Sequence, residues 1–240
     1  MTRILADLAE VDRVRTMQGQ EPVLADAVRA VKAFQARRFE ATYADLLADT
    51  RYRSAARFFL DELYGPHEFA QRDAQFARIV PSVVRLFPDH VVDTVVTLAE
   101  LHALSETLDL AMARALGPGT VDPARYVAAW QTCGTPDDRR HQIDLTLKIG
   151  HALDRHTRSA LVQNSLRLMR MPARRAGLGD LHRFLESGFQ AFRDMKGAAH
   201  FLATIGGRET VLSDALFDTA RWTVDAGARF WRLVNAQPTK

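Results

Sequence analysis

Apolar residues recur three and four positions apart along most of the chain, and the two-residue alternation of a half-buried strand is almost absent. Val91, Val92, Val95 and Val96 show the spacing well, since together they cover one face of a helix. The pattern predicts an all-α protein, a multi-helix bundle of about nine helices with two long central ones. The first helix runs from about Arg3 to Met17 and closes near Gly19. Pro22 sits in the first turn of a second that reaches Ala48, with Leu24, Val28, Val31, Phe34 and Phe39 in its apolar stripe. A third covers Tyr52 to Tyr64 and stops at Gly65-Pro66, because glycine accepts a left-handed cap and proline cannot continue a helix. Pro66 opens the fourth, which Pro81 bends or restarts and Pro88 ends.

Asp89 to Leu116 reads as the longest clean helix, terminated by Gly117-Pro118-Gly119. A short helix, Pro123 to Trp130, precedes Cys133-Gly134-Thr135-Pro136. The second long helix is expected from about Asp137 to Met171, broken by Pro172. Leu178 to Met195, with Ile205 as an alternative end, and Val211 to Leu233 complete the set. The Gly/Pro-rich stretch at 117–136 divides sub-halves 1–117 and 136–236. Each half offers few helices to close a core, so the expectation is one domain over 1–236 with a disordered tail at 237–240.

Composition adds constraints on compartment and partners. Hydrophobic residues make up 47% and charged residues 25%, the balance of an ordinary globular protein. The single cysteine, Cys133, excludes an internal disulfide and cysteine-rich zinc sites, which points to the cytoplasm. The N-terminus places Asp7 where a secretory signal needs an apolar run, and nowhere do eighteen consecutive apolar residues occur. No membrane partner is expected. The net charge of +3 over 240 residues argues against nucleic acid as a general partner, although arginine outnumbers lysine 28 to 4.

Chemical motifs are sparse. No Glu-x-x-His pair of the kind that builds di-iron sites occurs. The nearest pattern, Asp138-Arg139-Arg140-His141 with Asp144, shares its helix face with Lys148, which disfavours a cation, so no metal ligands are assigned. His102 lies on a leucine-rich helix face with Val91, Val95 and Leu98. It reads either as a hydrogen-bonded core residue or as a haem ligand of the globin kind. There is no Gly-x-Ser-x-Gly elbow, and Cys133 has no local histidine before His141, so no catalytic residue is assigned and enzymatic activity is left undecided. Arg155, Arg158, Arg167, Arg170, Arg174 and Arg175 occupy a segment without acids. Arg167, Arg170 and Arg174 would form one ridge able to receive an anion or a polynucleotide backbone, or to pair with Asp180, Glu186 and Asp194.

The most distinctive stretch is Phe58-Phe59-Leu60-x-x-Leu63-Tyr64-Gly65-Pro66-x-x-Phe69-x-x-Arg72-Asp73. With Gly177-Leu178-Gly179-Asp180-Leu181, Phe184 to Phe192, Phe201 to Ile205 and Arg208-Glu209, it resembles an uncharacterised bacterial all-helical family of the domain-of-unknown-function type. The resemblance implies a cytoplasmic helical protein and carries no residue roles. Read physically, the stretch is a helix-break-helix joint in which aromatics anchor both sides and charges set the angle. Three functions compete. The first is a non-enzymatic interaction or oligomerisation module, acting with a protein partner or as a homodimer. The alternative is a small-molecule binder or enzyme with a pocket inside the bundle, holding haem or another cofactor, with Tyr64, His67, Arg72 and His102 as its polar groups. The third is nucleic-acid or anion binding through the Arg155–Arg175 segment.

Overall fold

A computed structural model describes residues 2–62, 70–222 and 225–235, and among them every regular element is a helix. The twelve α-helices are α1 (Thr2–Gln20), α2 (Pro22–Thr42), α3 (Ala44–Ala48), α4 (Arg53–Glu62), α5 (Ala70–Leu86) and α6 (Asp89–Leu116), then α7 (Pro123–Cys133), α8 (Pro136–His156), α9 (Ala160–Arg175), α10 (Gly179–Asp194), α11 (Ala199–Phe217) and α12 (Ala226–Asn235). A short 3₁₀ turn at Thr219–Trp222 precedes α12.

The count exceeds nine because helices read as continuous are broken. Tyr43, at φ −116° and ψ 26°, separates α2 from α3. The expected helix from Asp137 to Met171 is two. Ser159 caps α9 by accepting from the Val162 amide at 3.4 Å, and Gln163 Nε2 donates to the Thr157 carbonyl at 2.9 Å. These side-chain bonds compete with helix continuation, as serine and threonine commonly do. The expected end of a helix at Met195 is the end of α10, where Lys196 and Gly197 adopt φ of 53° and 121°, and Asp154 accepts from the Ala198 amide at 3.1 Å to open α11. The expected single helix from Val211 to Leu233 is instead the end of α11 and, after a C-cap at Asp218, the separate α12. Neither Pro81 nor Pro172 ends a helix: α5 and α9 run through them. Both prolines are exposed, so the carbonyl each one orphans can turn to water. The Gly65-Pro66 break lies outside the described residues.

The long α6 is the axis, packing on α1, α2, α7 and α8. Three apolar clusters form the core, two of them built partly on α6. One gathers Val28, Val31 and Phe34 of α2, Met112 of α6, Tyr126 and Trp130 of α7, Leu216 of α11 and Phe230 of α12. A second unites Phe39, Tyr43, Phe58, Phe59, Phe192 and Phe201. A third joins Ile4 and Leu8 of α1 to Phe76 and Val80 of α5, Ala99 of α6 and Leu181 of α10. Each fully buried aromatic or aliphatic side chain contributes about 1.5–3 kcal/mol through the water it sheds. Phe58 and Phe59 are thus framework, as the joint reading expected.

Helices α8 and α11 approach closely because glycine permits it. A Cβ on Gly150 would lie 2.4 Å from Leu202 Cδ2, and one on Gly206 would lie 2.9 Å from Leu147 Cδ1. This crossing brings the first half of α8 alongside the polar residues of α11.

Candidate functional site

Polar residues in phase with the apolar stripes converge on one cleft. On α2, Val28, Val31, Gln35, Arg38 and Thr42 succeed each other at helical spacing and are all buried. On α8, buried Arg139 and half-buried Ile143 and Thr146 follow the same spacing, beginning in the first turn that Thr135 caps through the Asp138 amide. Gln35 and Arg38 of α2, Tyr126 and Trp130 of α7, Arg139, Ile143 and Thr146 of α8, and Ile205, Glu209, Leu212 and Ser213 of α11 line a cavity of about 50 Å³.

The arginines in it differ in their pairing. Arg38 Nη1 donates to Glu209 Oε1 at 2.5 Å, and the Tyr43 hydroxyl donates to the same oxygen at 2.7 Å. Arg139 is 3% exposed and has no such carboxylate. Its Nη1 donates to Gln142 Oε1 at 3.1 Å, and Gln142 Nε2 donates in turn to Ser105 Oγ of α6 at 2.9 Å. Its guanidinium carbon lies 3.8 Å from the centroid of the Trp130 ring, a cation–π stack. Arg139 Nε and Nη2 and the indole Nε1 of Trp130 are buried and meet no acceptor among the described residues.

Behind the cleft lies a second layer of charge. Gln35 Nε2 donates to Asp109 Oδ1 at 3.0 Å. Burial pushes the Asp109 carboxyl up, with Glu106 adding to it, and the nearby Lys32 and Arg139 charges only partly offset this. Asp109 is bonded by Gln35, and no hydrogen bond from Arg139 reaches it among the described residues. Glu106 goes the other way: burial opposes its charge, but the Lys32 ammonium at 2.7 Å, His102 and Arg15 together hold its carboxyl below the ordinary value. Burial also pushes the Tyr126 phenol and the Cys133 thiol up, which leaves both protonated near neutrality. The arrangement can hold an anion against Arg139 while keeping most of its other groups neutral or paired.

The residues singled out in the sequence fall elsewhere. Tyr64 and His67 lie outside the described residues, and Arg72 is on α5 with its side chain outside them too. His102 is half-buried on α6 one turn before Glu106, whose carboxyl it influences, and it does not line the cleft. Arg167, Arg170 and Arg174 are exposed on α9, where Arg170 pairs with Glu186 as one of the sequence readings expected. No group of three potential metal ligands occurs among the described residues. The cavity is also far smaller than a haem, which needs several hundred Å³. Arg38, Arg139 and Trp130 were missed, although charged residues at apolar phase were visible in the sequence.

No helix among the described residues is long and apolar enough to cross a membrane. No curated protein and no solved structure matches the chain. Residues 14–223, which include every helix lining the cleft, match the family described as domain of unknown function DUF8198, and the chain belongs to that family.

Proposed function

We propose that the chain is a ligand-binding helical protein whose site is the cleft between α2, α7, α8 and α11, and that its ligand is a small anion held by Arg139. One observation carries the reading: a guanidinium 3% exposed keeps two donor nitrogens without a protein acceptor. Burying an unpaired charge costs several kcal/mol, and a bound anion would recover much of it. Thermal melting with acetate, phosphate and sulfate at constant ionic strength tests this. At least one anion should raise the Tm of the wild type and leave Arg139→Gln unmoved. Equal responses from both proteins would sink the reading. The lone Cys133 fits the reducing cytoplasm as the compartment.

A second reading, self-association, is supported by α9. Leu161, Leu168 and Met171 are exposed at 58, 74 and 54%, on a helix that packs chiefly on α10. The occupant is a second copy of the chain: α9 carries Arg167 and Arg174 outside the Arg170–Glu186 pair, and the adjacent α10 carries Asp180 and Asp194. Two copies related by a two-fold axis would set one charge set against the other. Light scattering after size exclusion should show a dimer that Leu168→Glu dissociates, and a wild type that stays monomeric would exclude it. Nucleic acid is the weaker use of the same arginines, since Arg170 is already paired with Glu186.

A further inference from the structure

Resting on the anion-site reading, we infer that the ligand is a short aliphatic monocarboxylate, its two oxygens taken side-on by Nε and Nη2 of Arg139. The guanidinium has two edges able to make paired, parallel hydrogen bonds, and Nε with Nη2 is one of them. Here that edge is the unpartnered one, because Nη1 is committed to Gln142 Oε1. The group is held in advance by the Trp130 ring at 3.8 Å and by the Gln142–Ser105 bridge, so binding orders little. A lysine could not reproduce this geometry.

Charge and size narrow the class. Arg38 is balanced by Glu209, which leaves the cleft about one positive charge from Arg139. A carboxylate matches that. A phosphate monoester would bring about −1.5 to −2 charges toward Glu209. A cavity of about 50 Å³ is on the scale where one water needs about 10–15 Å³, so it takes only a ligand of a few non-hydrogen atoms. Ile143, Ile205 and Leu212 supply its apolar wall, against which a short alkyl chain gains and a polar body does not.

Calorimetry and thermal melting of the full chain with acetate, propionate, butyrate, octanoate, inorganic phosphate and sulfate test the proposal. Affinity should peak at propionate or butyrate, and Arg139→Lys, which keeps the charge and loses the fork, should weaken it by about tenfold or more. Arg167→Gln, on the exposed face of α9, should bind as the wild type does. An Arg139-dependent response to phosphate or sulfate, with none to carboxylates, overturns the carboxylate class and leaves the anion site standing. Octanoate binding as tightly as propionate overturns the size argument. No response to any anion overturns both. If Arg139→Lys does not fold, the chain-length profile of the wild type decides alone.

Discussion

Arg139 carries its charge into the interior one turn inside α8, and its partners are an amide, an aromatic face and two bonds that the protein does not make. Without ligand, Arg139→Met should therefore raise the folding stability by about 1–2 kcal/mol, because the buried charge goes and the volume stays. The gain should vanish once the binding anion saturates the wild type, and paired urea titrations with and without it check this. A second residue sets a pH dependence. Burial, helped by the charges of His90 and Arg155, holds His156 below the ordinary histidine value, and its Nε2 lies 3.0 Å from Thr94 Oγ1. The folded state thus prefers neutral His156. Its contribution is present above the unfolded value of about 6.5 and is lost as pH falls through the lower folded value. The melting temperature should fall as pH drops below about 6.5, and His156→Gln should flatten that fall.

Helix spacing was legible, and helix ends were legible only where one residue decides them. The Asp89–Leu116 helix was read to within a residue, its N-cap being Pro88 rather than the expected Asp89, because Pro88 and Gly117-Pro118 restrict the backbone at its two ends. The α8–α9 break was not, since it rests on side-chain bonds such as that from Gln163 to Thr157, nor was the start of α11, where the Ala198 amide bonds Asp154. Packing likewise sets the tolerance of helix interiors. Gly188 of α10 faces Phe58 of α4, and a Cβ there would lie 2.7 Å from the ring. Alanine normally gains about 1 kcal/mol over glycine in a helix, and overpacking a stiff ring costs about 1–3. Gly188→Ala should come out destabilising by about 1 kcal/mol in urea, and Phe58→Leu in the same protein should relieve part of the loss.

At the scale of the molecule, polar contacts join segments far apart in sequence. Arg38 of α2 meets Glu209 of α11, and Arg208 grips both oxygens of Asp45 at 2.8 and 2.7 Å. Glu209→Gln keeps the shape but removes the charge facing Arg38, and should cost about 2–4 kcal/mol, read as a lower Tm at neutral pH. Of the site, the sequence showed Gln35, Arg38 and Arg139 at apolar phase, and could not say whether each was paired. His102 on its leucine face was the more conspicuous residue, yet it stands beside Glu106 rather than at the cleft. The sequence by itself determined the all-helical class, most helix faces and the aromatic framework, because these follow from local spacing and from glycine and proline chemistry. The tertiary structure decided which buried arginine found a carboxylate and which did not. That depends on α11 returning beside α2 and α8, a long-range contact that no local pattern encodes.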